Sequence, residues 1–230
     1  MTMLILNGKK ASLPLLRETV YALRKQGHTL EVRCTWETGD VARFVQEACT
    51  LNIRRIIAGG GDGTVNEVVD AIMGLNADHA INCNVSPNNP TLQSGNNIEL
   101  AVLPLGTAND FATACEIPLA IDAALKFAVS GDAQPIDVAQ ANGRYFINIA
   151  SAGFGAQVTV DTPVELKDLL GGQAYFVSGL MQALSFSPYQ GRIIATLANG
   201  SELVLEGAGL LGAVCNGRLA GGGQNLAPSA

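Results

Sequence analysis

Residues 54–67 read RRIIAGGGDGTVNE, and this stretch decides the fold. A buried-strand pattern runs into four glycines and an aspartate, and a helical pattern follows over 67–73. Glycines let the backbone approach a ligand closely and adopt positive φ. A helix that begins at once turns its free N–H groups and positive dipole end toward the same point. The stretch therefore predicts a phosphate-binding loop at the end of a strand, with a tight β–α turn as the alternative.

Two polar residues of this loop allow more than one interpretation. Asp62 would repel a bare phosphate, so it indicates a metal or water bridge, or else a purely structural hydrogen bond within the turn. Thr64 is predicted to cap the helix while its hydroxyl reaches a phosphate oxygen.

Strand and helix patterns alternate on both sides of the loop. Strand patterns at 3–6, 29–34, 54–58 and 99–103 are separated by segments with helical spacing, which is typical of βαβ units and a parallel sheet. The last strand leads into LPLGTANDFA (103–112), where Gly106 opens a turn and Thr107 offers a hydroxyl. Asn109 and Asp110 fit a helix start as cap and dipole partner. Because parallel strands place ligands outside their carboxyl ends, the two loops predict a shared cleft.

The pattern changes near residue 130. Asn142-Gly143 and Asn199-Gly200 each lie between alternating apolar runs, which predicts two antiparallel hairpins. We therefore predict an α/β domain over 1–130, followed by a β-rich domain over 131–230 that resembles an incomplete antiparallel β-sandwich. The Asn-rich segment 74–97 is predicted to be a loop insertion in the first domain.

Composition narrows the range of functions. The chain has 230 residues, a net charge of −6, five cysteines without CxxC spacing and two histidines. An acidic chain of this kind is not expected to bind nucleic acid, and a zinc site or disulfide framework is not expected either. The charge-free stretch 169–191 contains glycines and a proline, so a buried or surface-seeking helix is favoured over a membrane span. The expected location is cytoplasmic, with peripheral access to the membrane.

The motifs GGGDGTVNEV and LPLGTANDFA, with FINIASAGFGA and NGRLAGGGQ downstream, resemble the bacterial diacylglycerol-kinase-like lipid kinases of the YegS type. VRCTWETGD and LILNGK extend the resemblance over nearly the whole chain. It implies a phosphofructokinase-like N-terminal domain, a β-sandwich domain, ATP and Mg²⁺ as cofactors, and a lipid substrate at the membrane surface. The loop at 74–97 is longer than the connection usual in that family.

The resemblance also implies site residues. By position, ATP would be bound by residues on three loops: Thr35, Gly61, Asp62, Gly63, Thr64, Val65, Asn66, Glu67 and Thr107. The family's Mg²⁺ site and proton-accepting Glu correspond to sequence beyond Ala230, so no metal ligand is assigned and Asp110 is the candidate catalytic residue. On this basis the chain is expected to be C-terminally truncated and to bind ATP without transferring phosphate. An NAD kinase-like enzyme and a non-catalytic nucleotide-binding protein are the alternatives.

Overall fold

A computed structural model of the chain describes residues 1–82, 98–153, 189–197, 199–209 and 211–230. Its centre is a four-stranded parallel sheet with the strand order β2-β1-β3-β4. The strands are β1 (Thr2–Leu6), β2 (Leu30–Cys34), β3 (Arg55–Gly60) and β4 (Glu99–Pro104). Short, nearly continuous apolar runs are what a parallel sheet buried on both faces requires. The predicted α/β fold with a parallel sheet is confirmed.

Helices cover both faces of this sheet. Alternate side chains of β1 point to opposite faces, so Met3 and Ile5 join one buried cluster while Leu4 and Leu6 join another. The second and third helices contribute to the first cluster, and the first and fifth to the second. The result is three layers with the sheet in the middle. The helices are α1 (Pro14–Lys25), α2 (Asp40–Thr50), α3 (Asp62–Asn82), α4 (Asp110–Ala114) and α5 (Ile121–Ser130), and a 3₁₀ turn spans Gly8–Lys10.

Helix α3 runs further than its sequence pattern indicates. Residues 74–82, which the sequence assigns to the loop insertion, continue the helix to Asn82. No proline interrupts the chain between Asp62 and Pro87, and Leu and Ala are good helix formers. The remainder of the predicted insertion, 83–97, lies outside the described residues.

The strands after residue 131 pair in antiparallel fashion. Both predicted Asn-Gly hairpins are confirmed. Asn142 and Gly143 have φ values of 50° and 78°, and positive φ at both central residues is the signature of a type I′ turn, whose twist matches that of the strands. In the second hairpin Gly200 has φ 81° and Asn199 does not have positive φ, so the expectation of positive φ at both residues is wrong there. The pairs are β5 (Ala139–Ala141) with β6 (Arg144–Phe146), β7 (Ile149–Gly153) with β10 (Leu211–Cys215), β8 (Tyr189–Thr196) with β9 (Glu202–Gly209), and β11 (Leu219–Ala220) with β12 (Gln224–Asn225).

The chain forms two compact units. One comprises Met1–Asn148 with Asn216–Ala230, and the other comprises Ile149–Cys215. The boundary near residue 130 stays a prediction. Among the residues that the structure describes, no helix is both long and apolar enough to cross a membrane. The stretch 169–191 lies almost wholly outside them.

Candidate nucleotide site

The loops that follow the four parallel strands meet at one edge of the sheet. In the strand register Leu6 lies opposite both Cys34 and Gly59, and Gly60 lies opposite Pro104, so all four strands end at nearly the same level. Helix α1 follows β1 on one face, and α3 follows β3 on the other. Because neighbouring strands β1 and β3 send their helices to opposite faces, a crevice opens between their carboxyl ends.

Glycines are needed in this crevice because backbone segments approach each other closely. A Cβ on Gly60 would lie 2.3 Å from the Thr64 hydroxyl oxygen. A Cβ on Gly106 would lie 2.5 Å from the Cα of Gly61, and the reverse substitution would bring a Cβ within 3.1 Å of the Gly106 Cα. The glycine loop (Gly59–Gly63) and the second loop (Leu105–Asn109) therefore abut through bare backbone.

The expectation of positive φ in the glycine loop is wrong. No glycine from Gly59 to Gly63 has positive φ. Strand β3 stays paired up to Gly60, and helix α3 begins at Asp62, so the chain passes directly from extended to helical conformation. Gly63 is exposed, and a Cβ there would have no heavy atom within 4 Å. This position leaves open space beside the first N–H groups of α3, which have no partner within the helix.

Asp62 makes structural hydrogen bonds, but to another loop and not within its own turn as one of the predicted alternatives had it. Its carboxylate accepts hydrogen bonds from the backbone N–H groups of Asp110, at 3.2 Å, and Phe111, at 3.0 Å. These groups belong to the first turn of α4, so Asp62 caps that helix from another loop and favours its positive dipole end.

The prediction that the Asn109 side chain caps α4 is wrong. Asn109 occupies the N-cap position with φ 53°, but its side chain turns back onto Gly106. The Oδ1 atom accepts from the Gly106 N–H at 2.8 Å, and the Nδ2 atom donates to the Gly106 carbonyl at 2.9 Å. The side chain thus closes the second loop and leaves the helix N–H groups to Asp62.

Asp110 is only 5% exposed, and its carboxylate accepts hydrogen bonds from backbone N–H groups. The Gly222 N–H lies 3.1 Å from both oxygens, and the Gly223 N–H donates to Oδ1 at 2.6 Å. Both glycines have positive φ, 87° and 90°. Asp110 therefore holds the turn between β11 and β12 against α4. These contacts favour a positioning role, and the catalytic assignment stays a prediction.

The residues that follow in α3 face in different directions. Thr64 is buried as the third residue of the helix, and its hydroxyl accepts from Asn7 Nδ2 at 3.4 Å, so the prediction that it caps the helix is wrong. Val65 belongs to the hydrophobic core. Asn66 Oδ1 accepts from the Ile147 N–H at 3.1 Å, and Glu67 is exposed. The Val65 N–H donates to the Gly61 carbonyl at 3.1 Å, so among these four residues the Thr64 N–H and the Glu67 side chain are left to meet a ligand.

A groove of about 1100 Å³ lies beside this edge and is lined by both Thr35 and Glu67. The backbone N–H of Thr35 donates to the Leu6 carbonyl at 2.9 Å, and its hydroxyl accepts from the Gly8 N–H at 3.2 Å. Thr107 is exposed on the second loop and does not line this groove. The structure thus brings Thr35 and Glu67 together, while Thr107 lies beyond the glycine loop.

Sequence analysis assigned no role to the loop after β1. Asn7, Gly8 and Lys9 line the groove, and a Cβ on Gly8 would overlap the Thr35 carbonyl oxygen at 2.1 Å. An Asn-Gly pair directly after the first strand, at the edge where the other loops gather, is the signal that could have identified them.

The loop after β2 is fastened by Asp40. One carboxylate oxygen accepts from the backbone N–H groups of Trp36, at 2.6 Å, and Glu37, at 3.1 Å, while the other accepts from Arg43 at 2.5 Å. The Arg43 hydrogen bond, followed by those two N–H groups, lowers the pKa of Asp40 to about 2. The fastened loop presents the Trp36 side chain to solvent, 95% exposed.

The described residues contain no group of three acidic, His or Cys side chains that could hold a metal ion. The acidic residues nearest to this site are Asp62, which lies in the glycine loop, and Asp110, whose N–H donates to Asp62. Both carboxylates already accept hydrogen bonds from backbone N–H groups.

A doubly covered parallel sheet, a glycine loop leading into a helix N-terminus and a groove at the strand ends are typical of α/β proteins that bind phosphate groups. Residues 1–141 match the family model described as "Diacylglycerol kinase catalytic domain". Proteins described as "Probable lipid kinase YegS-like" are 51% identical over 227 residues in Shewanella frigidimarina, and 47% identical over 230 residues in Yersinia pestis. The chain covers 67% and 70% of their lengths, and these alignments take in 99% and 100% of the chain.

A solved diacylglycerol kinase from Bacillus anthracis matches with a TM-score of 0.65 and 26% identity, over 96% of this chain and 66% of that one. The chain therefore belongs to the diacylglycerol kinase catalytic domain family, and it is a kinase of the lipid kinase type. The resemblance drawn from the two loop motifs is confirmed. The chain spans about two thirds of the length of these relatives.

Proposed function

We propose that the protein transfers the γ-phosphate of ATP to a hydroxyl of a glycerol-containing lipid, such as diacylglycerol or a phosphatidylglycerol-like lipid. The observation that best supports this proposal is the contact between Gly61 and Gly106, which brings two loops together beside the free N–H groups of α3. Donors held in fixed positions can stabilise a phosphoryl group without reorganising during the reaction. Membership of a lipid kinase family supports a lipid as the acceptor.

In this proposal the triphosphate lies against Gly61–Glu67. The backbone N–H groups at the start of α3 bind phosphate oxygens, and the dipole of the helix adds to their attraction. Val65 supports the start of the helix, since its side chain is in the core and its N–H donates to the Gly61 carbonyl at 3.1 Å. Thr107 offers a hydroxyl from the second loop, and Thr35 contacts the nucleotide from the groove.

We propose that Mg²⁺ binds together with the nucleotide. This ion is usually bound through phosphate oxygens, water and one or two carboxylates, and it would neutralise charge on the transferring group. In the described residues no three acidic, His or Cys side chains form a group that could hold the ion, so most of its ligands would be phosphate oxygens and water.

Asp110 is proposed to position the site. A general base must come within hydrogen-bond reach of the proton that it removes, whereas both oxygens of Asp110 are directed at the turn over Gly222 and Gly223. The lipid is proposed to be reached at a membrane surface, where the protein would bind peripherally.

The nucleotide part is tested by equilibrium binding of an ATP analogue to Gly63→Val. The new side chain would enter the open space beside the α3 N–H groups, so affinity should fall at least tenfold while the fold is retained. Gly191→Val is the matched control, because Gly191 also has open space at Cβ and no positive φ. Equal affinity in wild type and Gly63→Val would remove the glycine loop from the site.

The transfer part is tested with labelled ATP and mixed micelles containing either lipid. The assay compares this chain with a version extended to the length of its relatives. Label on the lipid with either protein supports the proposal. Nucleotide binding without transfer to either lipid, by both proteins, would contradict it.

A further inference from the structure

Trp36 has the greatest exposure of any large apolar side chain in the described residues, at 95%. It lines the groove together with Thr35 and Glu67. An aromatic ring that contacts almost nothing in the folded chain contributes little to the core. It is suited instead to contact with a ligand in the groove.

The exposure of Trp36 results from a well-fastened loop. Thr35, the preceding residue, is held by its N–H to Leu6 at 2.9 Å and by its hydroxyl to Gly8 at 3.2 Å. The Trp36 N–H donates to Asp40 at 2.6 Å. The ring is therefore presented from a fixed backbone, which lowers the entropy cost of binding a flat partner.

Contacts connect this ring to the phosphate loop. Thr64, in the first turn of α3, accepts a hydrogen bond from Asn7 at 3.4 Å, and Gly8 follows Asn7 and bonds to Thr35. Trp36 is the next residue. A ligand whose phosphates lie at the glycine loop can thus extend along the groove toward this ring.

We propose that Trp36 stacks on the base of the nucleotide, an inference that rests on the proposed function. Aromatic side chains stack on the face of any nucleobase. Carboxylates at Glu37 and Glu67 also line the groove, and they are suited to accept hydrogen bonds from an amino group on the base.

Charge favours a base over a membrane surface as the partner of this ring. Glu37, Glu67 and Asp70 outnumber the cations Lys9 and Arg144 along the groove. An anionic bilayer would be repelled by such a rim, while a neutral base is not.

The test uses the fact that Trp36 is the single tryptophan of this sequence. Its emission is followed while the protein is titrated with ATP, or with inorganic tripolyphosphate, which has the phosphates without a base. ATP should change the emission and tripolyphosphate should not. In calorimetry, Trp36→Ala should raise the Kd for ATP about tenfold or more and leave the Kd for tripolyphosphate unchanged. Trp36→Phe keeps a stacking ring and should stay within about threefold of wild type.

Three results would overturn the inference. ATP binding without a change in emission would place the base elsewhere. An equal loss of affinity for ATP and tripolyphosphate in Trp36→Ala would make the residue a support for the phosphate loop. A change in emission on adding phosphatidylglycerol vesicles without nucleotide would assign the ring to a membrane surface. In the first of these cases the proposed function stands, whereas absence of binding by both ATP and tripolyphosphate would remove both.

Discussion

Replacement of Gly106 by alanine tests the contact on which the site is built. The new Cβ would lie 2.5 Å from the Gly61 Cα and 2.9 Å from Asn109 Oδ1. Carbon atoms in contact prefer about 3.5–4.0 Å, so the two loops must separate by about 1 Å. Neither loop moves freely, because Gly61 lies between β3 and α3 and two hydrogen bonds hold Gly106 to Asn109.

The expected cost follows from these contacts. Overpacking of this kind costs about 1–3 kcal/mol, and the upper part of that range applies because backbone atoms are displaced. Alanine also reduces the entropy of the unfolded chain, which offsets about 0.4–1 kcal/mol. We therefore expect the free energy of unfolding to fall by about 2 kcal/mol.

Urea unfolding followed by far-UV circular dichroism measures this change. Emission of Trp36 is a poor probe for it, since that side chain is already 95% exposed in the folded protein. Gly63→Ala is the matched control: no heavy atom lies within 4 Å of its Cβ position, so it should unfold at the wild-type urea concentration or slightly above. A free energy for Gly106→Ala within about 0.5 kcal/mol of wild type would show that the loops do not abut.

Three further perturbations have defined outcomes. Gly143→Ala places a Cβ at φ 78°, and urea unfolding should show a loss of about 1–2 kcal/mol; an unchanged midpoint would contradict the turn assignment. Arg55→Lys removes bonds to Glu99 and to two carbonyl groups at the end of α5, and we expect a loss of about 1–2 kcal/mol by the same method; no loss would mean that those bonds are replaced by water without cost. The folded pKa of Asp40 is lowered from 3.8 to about 2, so its contribution is complete above pH 3.8 and is lost as the pH falls toward 2. Urea unfolding followed by circular dichroism should therefore show a larger loss of stability over that window in wild type than in Asp40→Asn; identical acid profiles would refute the assignment.

The sequence was informative about which segments form the sheet and where their loops gather. Apolar runs such as 3–6 are long enough for a buried strand, and Asn-Gly pairs favour hairpins through local backbone preference. These are local properties, so they can be read from a short window of sequence. The two loop motifs were also specific enough to indicate the family.

Errors arose where a side chain's partner is distant in sequence. Asn109 has the residue type of a cap, yet Asp62 takes that role from 48 residues away. Asp110 binds a turn 112 residues further along the chain, a pairing that no local pattern contains. The need for glycine at Gly61 was predicted for φ, whereas its cause is the backbone of Gly106 on a different loop.

The hydrogen bonds from α4 to Asp62 limit what the GGGDG motif can reveal about activity when it is found in a sequence. The aspartate of GGGDG holds a neighbouring helix in place, so the motif serves the folding of the domain as well as any reaction at its surface. A relative that has lost phosphate transfer would still lose about 0.5–2 kcal/mol of stability without that carboxylate. Presence of the motif in a genome therefore indicates a folded domain of this kind. Activity has to be inferred from residues that contribute little to folding.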